Sequence, residues 1–140
     1  MVYLTRVLEF SAAHRLHLPD RDDATNEELF GECSNIHGHG HNYRLEVTIQ
    51  GAIPEDTGML IDLKRMGEII NEVIINRVDH KHLNIDVPFL QGKNPTAENL
   101  AVAFWSELKD AFPGAALYEI KIFETERSII TYRGGAGWKT

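Results

Sequence analysis

The sequence predicts an α+β domain in which a four-stranded antiparallel sheet carries two helices on one face. Two segments with alternating apolar and polar side chains come first, two segments of helical periodicity follow, and two further alternating segments close the chain. Strands and helices that are grouped in this way, instead of alternating regularly, are typical of α+β folds. With 140 residues and 43% apolar side chains, the chain is expected to form a single domain over residues 1–140.

The first two strands are predicted from the alternation of apolar and polar side chains. In residues 2–10 one parity carries Val2, Leu4, Leu8 and Phe10, and Arg6 interrupts it. In residues 42–50 the alternation is regular. The acidic segment 19–28 between these strands has no periodicity, and we expect it to be an exposed loop.

The two helices are predicted from a 3.6-residue period and from residues typical of helix ends. Asp62 is the expected N-cap of the first helix, whose apolar positions are Leu63, Met66, Ile69, Ile70, Val73 and Ile74. The second helix is expected from about Thr96 to Phe112, because Pro95 precedes this segment and Pro113 follows it.

The last two strands are predicted at residues 117–124 and 127–133, as a hairpin joined near Thr125 and followed by a frayed tail from Gly134. A four-stranded sheet leaves its two edges open, and pairing with neighbouring subunits is one way of covering them. The sequence therefore favours a homo-oligomer.

The composition excludes several classes of partner. A formal net charge of -7 argues against nonspecific binding to nucleic acid or to an anionic membrane. No apolar stretch approaches the ~20 residues of a membrane span, and no signal peptide is recognised at the N-terminus. The single cysteine, Cys33, cannot form an internal disulfide. We therefore expect a soluble, unprocessed, cytoplasmic protein.

Three of the seven histidines lie in the five residues from His37 to His41. Side chains two residues apart in an extended chain point the same way, so His39 and His41 can present their imidazoles to one ion. Zinc is the preferred ion, because it accepts neutral imidazoles and a catalytic zinc site needs three protein ligands. His14 supplies the third ligand if the first two strands pair. The alternative is an exposed His/Gly loop without a metal.

Six segments of the sequence, in this order and spacing, resemble the 6-pyruvoyl tetrahydropterin synthase family. They are FSAAHRL (10–16), FGECSNIHGHGHNY (30–43), TGMLIDLKRM (57–66), VDHKHLN (78–84), NPTAEN (94–99) and FETE (123–126). The resemblance covers nearly the whole chain. It implies a T-fold unit that assembles into trimers and then hexamers, with active sites between subunits.

The resemblance also implies a role for eight residues. The zinc ligands are His14, His39 and His41. The catalytic residues are Cys33, Asp79 and His80. The residues that bind the substrate are Glu124, which anchors the pterin, and Thr96.

The residues themselves allow alternatives to these roles. Glu124 shares the parity of an otherwise apolar strand face, so its carboxylate needs a partner, which is either a pterin or an arginine. A lone cysteine such as Cys33 is commonly a small packing residue. Asp79 and His80 can meet only through a turn or through another subunit, because adjacent side chains diverge in a strand.

By resemblance, the reaction is the zinc-dependent conversion of 7,8-dihydroneopterin triphosphate to 6-pyruvoyl tetrahydropterin with release of triphosphate. One alternative is 6-carboxy-tetrahydropterin synthase of the queuosine pathway, which releases acetaldehyde from the same substrate. Cys33 has the spacing of that enzyme relative to His37 and the spacing of the pyruvoyl enzyme relative to His39. Because the metal-binding pair runs directly into the second strand, we favour His39 and His41. The second alternative is a pterin- or zinc-binding protein without turnover.

Overall fold

The computed structural model describes residues 1–137 and contains, within them, a five-stranded mixed sheet of order β3-β1-β2-β4-β5. The strands are β1 (Val2–His14), β2 (His39–Gly51), β3 (Lys81–His82), β4 (Ala116–Thr125) and β5 (Ser128–Tyr132). Neighbouring strands are antiparallel except β3, which is parallel to β1. The prediction of four antiparallel strands is therefore wrong by one strand, because the two residues of β3 are too few to show alternation.

The paired strands β1 and β2 are both longer than predicted, at 13 residues each. β1 continues beyond residue 10 to His14, and β2 begins at His39 instead of residue 42. The added residues are mainly alanine, glycine and histidine, whose side chains carry no clear apolar alternation. Because of this extension the three candidate ligands lie within the sheet.

The acidic segment predicted as a loop contains a helix, α1 (Asp23–Phe30). Asp22 caps it by accepting a hydrogen bond from the Thr25 backbone amide at 2.7 Å. Asn26 is buried, and its side chain accepts from the Leu18 amide and donates to the Leu18 carbonyl. The helix is thus held by polar contacts, which an apolar period does not reveal. A 3-10 turn, Gly31–Ser34, follows it.

Both predicted helices are present. Asp62 caps α2 (Leu63–Ile70), which continues through a π-helical turn (Asn71–Ile75) into α3 (Asn76–Val78). Thr96 caps α4 (Ala97–Leu108), which ends before the predicted Phe112. A short 3-10 turn at Pro88–Leu90 precedes α4.

The core lies between one face of the sheet and the helices. Fully buried β2 side chains pack there with side chains of α2 and α4, namely Tyr43, Leu45, Val47, Ile49, Met66, Ile70, Leu100 and Phe104. The opposite face carries polar pairs between β1 and β2, such as the Thr5 and Thr48 hydroxyls at 2.7 Å. Helices therefore cover one face, as predicted.

The described part of the C-terminal tail packs against the domain instead of fraying. The Tyr132 hydroxyl donates to the Gly135 carbonyl at 2.7 Å, and Gly137 lies against Val102 of α4. The predicted fraying of residues 138–140 lies outside the described residues. Among residues 1–137, none of the helices has the length and apolar character needed to span a bilayer.

Candidate metal centre and active site

Three histidines meet where β1 ends and β2 begins. The strand register places His14 opposite His39 and Ala12 opposite His41. One ring nitrogen from each histidine lies within 4.8 Å of the other two. The Nε2 atoms of His14 and His39 are 3.1 Å apart. The predicted pairing of the two strands thus brings together the three side chains that the sequence selected.

The tautomer of His14 is set by a backbone carbonyl. Its Nδ1 donates to the Pro95 carbonyl oxygen at 2.7 Å, which leaves the lone pair on Nε2, the atom that faces His39. The ring is fully buried, and burial, aided by the neighbouring histidines, lowers the pKa of His14 to about 4. His14 is therefore a neutral imidazole at physiological pH, which is the form that binds metals.

The remaining two imidazoles also fit a metal ion. His41 Nε2 and His39 Nδ1 are buried ring nitrogens without a hydrogen-bond partner in the described structure. Burial lowers the pKa of His41, which favours its neutral form. Nitrogens bound tetrahedrally to one zinc are about 3.4 Å apart, close to the observed spacing of the Nε2 atoms of His14 and His39. The three histidines could therefore hold a metal ion.

His37 does not take part in this arrangement. The His37 side chain is exposed, and its backbone amide donates to the Asn35 side-chain oxygen. The cluster of three histidines that could hold a metal ion, found within residues 1–137, does not include His37. The structure therefore brings His39 and His41, and not His37, together with His14.

Glu124 lies beside the histidines near the end of β4. Its Oε1 is 3.6 Å from His41 Nε2, and its side chain is 26% exposed. Within the described residues, Glu124 forms its ion pair with His41 and not with an arginine. The alternative of an arginine partner is therefore not supported. The pKa of the nearby Tyr43 is raised, first by burial and second by the charge of Glu124. The Glu124 carboxylate is thus placed to accept hydrogen bonds from N–H donors next to the histidine cluster.

Asp79 and His80 meet through a turn, which is one of the two arrangements that the sequence allowed. His80 has a left-handed backbone (φ 59°), and its Nδ1 lies 2.9 Å from Asp79 Oδ2. The other oxygen, Oδ1, accepts from the Ser11 amide at 2.9 Å, which holds the pKa of Asp79 below its ordinary value. The carboxylate therefore joins β1 to an imidazole that is 83% exposed.

An open cavity is lined both by His80 and by His41, one of the three clustered histidines. It has a volume of about 500 Å³, and its walls include His41, His80, Lys81 and His82. A proton donor or acceptor at His80 and a ligand held near His41 can thus share one space.

Two predicted site residues stand apart from the cluster. Cys33 lies in the 3-10 turn Gly31–Ser34, and the histidine cluster found in residues 1–137 does not include its sulfur. Thr96 caps α4, where its hydroxyl accepts from the Asn99 amide at 3.2 Å. Thr96 directly follows Pro95, the residue whose carbonyl orients His14.

Two contributors to the site were missed in the sequence. Pro95, whose carbonyl contacts His14, is 81 residues away in the sequence, and no local pattern predicts that contact. The Tyr43 hydroxyl lies 3.4 Å from His14 Nδ1. Tyr43 could have been found, because it continues the parity of His39 and His41 along β2.

Comparison with known proteins agrees with the geometry. The model of the family described as 6-pyruvoyl tetrahydropterin synthase matches residues 3–135. The chain belongs to this family. Its members are enzymes of the lyase class. The histidine cluster, Asp79 and His80 all lie within the matched residues.

Individual family members show the extent of the similarity. The 6-pyruvoyl tetrahydrobiopterin synthase of Poecilia reticulata is 47% identical over 94% of this chain and 90% of its own. That of Drosophila melanogaster is 47% identical over 96% of this chain and 80% of its own. The solved structure of the Caenorhabditis elegans 6-pyruvoyl tetrahydropterin synthase has a TM-score of 0.89 at 40% identity, with 96% of each chain covered.

Proposed function

We propose that this protein converts 7,8-dihydroneopterin triphosphate to 6-pyruvoyl tetrahydropterin, releases triphosphate and depends on zinc. The observation that carries the proposal is the convergence of three imidazoles beside the Glu124 carboxylate. Membership of the family, whose named relatives are synthases of this kind, supports the choice of reaction.

The proposed zinc ligands are His14, His39 and His41. The Pro95 carbonyl fixes His14 in the tautomer whose Nε2 can bind the ion. When bound, zinc supplies Lewis acidity toward the hydroxyls of the substrate side chain, and so acidifies the carbons that carry them.

Glu124 is the proposed anchor of the pterin ring. A carboxylate can accept two adjacent N–H donors of the ring in charge-assisted hydrogen bonds. Its position 3.6 Å from His41 supports this role, because a ring bound to Glu124 would lie beside the histidine cluster. Thr96, next to the carbonyl that holds His14, is a further proposed contact of the substrate.

Proton transfer is assigned to Cys33 and to the pair of Asp79 and His80. Cys33 removes and returns protons at the carbons of the substrate side chain, and His80, oriented by Asp79, donates or relays them. The protons move between the side chain and the ring, which is reduced as the side chain is oxidised. The net reaction therefore needs no redox cofactor.

We further propose that the site is completed in a homo-oligomer, a trimer or hexamer, in the cytoplasm. Two observations support an active site shared between subunits. His80 is 83% exposed in the single chain, and the Cys33 sulfur is outside the histidine cluster of the described residues. A neighbouring copy can bring these groups together.

Mass spectrometry of the product tests this function. The protein is incubated with dihydroneopterin triphosphate and zinc, and 6-pyruvoyl tetrahydropterin with one released triphosphate is expected. A carboxylated pterin with acetaldehyde would replace the proposal with the queuosine-type reaction. Unchanged substrate, with the pterin still bound, would identify a binding protein without turnover.

A further inference from the structure

The two residues that follow His14 tie the end of β1 to the turn that carries Cys33. The Leu16 amide donates to the Cys33 carbonyl at 2.9 Å. The Arg15 side chain donates from Nε to the Ser34 carbonyl at 2.8 Å. Two direct hydrogen bonds thus join the end of the strand that carries His14 to the turn that carries Cys33, called the cysteine turn below. Arg15 and Ser34 are 19 residues apart in the chain.

Every carbonyl of the cysteine turn is engaged. The Gly31 carbonyl accepts from the Ser34 hydroxyl at 2.8 Å, and the Glu32 carbonyl accepts from the Asn35 amide at 3.2 Å. The last two carbonyls are those bound by Leu16 and Arg15. Among these donors only Arg15 is a charged side chain, and a hydrogen bond from a charged group is stronger than one between neutral groups.

Arg15 is itself held firmly. Its amide donates to the Asn84 side-chain oxygen and its carbonyl accepts from the Asn84 side-chain nitrogen, both at 2.8 Å. Its side chain is only 16% exposed. The contact with Asp23 is 3.4 Å long, and the Asp23 side chain is 86% exposed, so solvent screens that pair. The partly buried bond to Ser34, at 2.8 Å, is therefore the principal contact of the guanidinium.

We propose that Arg15 is a positioning residue that fixes the Cys33 turn relative to the metal-bearing end of β1. The inference rests on the function proposed above, in which Cys33 transfers protons. The planar guanidinium can donate from Nε to a carbonyl in the interior while its outer edge stays at the surface, which the single ammonium of lysine cannot reproduce. Displacement of a reacting group by ~1 Å can cost about 10²-fold in rate.

The test compares Arg15→Lys with the wild-type enzyme in steady-state kinetics. The kcat is expected to fall at least ~10-fold while KM stays within ~3-fold, because a reacting group is displaced and substrate binding is kept. Zinc content is expected to be unchanged. In a Cys33→Ala background, Arg15→Lys should change kcat less than ~2-fold, since the two residues act as one unit.

A second measurement does not depend on the reaction. The rate at which iodoacetamide labels Cys33, the single cysteine of the sequence, is expected to change at least ~3-fold in Arg15→Lys. This result stands even if the wild-type enzyme forms no pyruvoyl product, so failure of this inference is distinguishable from failure of the proposed function. Asp23→Ala, which removes an exposed charge, and Arg21→Lys, which makes the same exchange at an exposed arginine, serve as controls and should leave kcat and labelling unchanged.

Three results would overturn the inference. An increase in KM of ~10-fold or more at constant kcat would make Arg15 a ligand of the substrate phosphates. Loss of zinc in Arg15→Lys would show that Arg15 acts on His14 instead of the turn. Unchanged kcat together with unchanged labelling would show that the bond from Arg15 to Ser34 does not position Cys33.

Discussion

Acidification of the metal-free protein should selectively destabilise it through His14. In the folded chain the pKa of this histidine is about 4, against an ordinary value of 6.5. Between these values the unfolded chain binds the extra proton, so the free energy of unfolding falls as the pH falls. The difference of about 2.5 between the two pKa values corresponds to about 3 kcal/mol, lost progressively from about pH 6.5 to pH 4.

The structure gives the reason for this loss. A proton on Nε2 of His14 would point at the His39 ring nitrogen 3.1 Å away, in a fully buried position, while Nδ1 remains committed to the Pro95 carbonyl. Neither nitrogen could then be hydrated, and an imidazolium buried in this way is unfavourable.

Urea denaturation between pH 7.5 and 4.5, in the presence of a chelator, measures the effect. The wild type should lose stability relative to His14→Gln, which cannot titrate at this position. His37→Gln removes an exposed histidine and should follow the wild type. Parallel stability curves for the wild type and His14→Gln would refute the buried, neutral assignment of His14.

Three further predictions concern the site. His41→Ala should weaken zinc binding by ~10²–10³-fold, because one of four ligands in a site worth about 10–16 kcal/mol contributes about 2.5–4 kcal/mol. His37→Ala should keep about one zinc per chain by elemental analysis. Loss of zinc in His37→Ala with retention in His41→Ala would support the queuosine-type spacing, from Cys33 to His37. Cys33→Ala should keep zinc and substrate binding but lose ~10²–10⁴-fold in turnover, and full activity would move proton abstraction to His80. Glu124→Gln should weaken pterin binding by ~1.5–3 kcal/mol in titration calorimetry without loss of zinc, and unchanged affinity would remove Glu124 from the pterin site.

Much of the fold was predictable because its signals are local. The alternation over residues 42–50 predicted the strand that forms the centre of the sheet. The Asp62 cap and the start of the second helix near Thr96 were placed correctly. The hairpin near Thr125 was also placed correctly. These features depend on side-chain periodicity and on hydrogen bonds between residues at most a few positions apart, which the sequence displays directly.

The two elements that were missed have a common feature, since one is held by polar contacts and the other is very short. α1 is held by Asp22 and by the buried Asn26 instead of an apolar stripe, so its segment was predicted to be a loop. The two residues of β3 are a strand only because β1 lies beside them. Neither element carries an apolar period of its own.

The sequence by itself determined which residues are candidates for the site, and the tertiary structure decided their geometry. The histidines and Glu124 could be selected from spacing, parity and resemblance. That the Pro95 carbonyl holds His14, and that Arg15 holds the cysteine turn, became visible only in the folded chain. Both contacts join residues far apart in sequence, and such contacts are set by strand register and packing, which a local pattern does not encode.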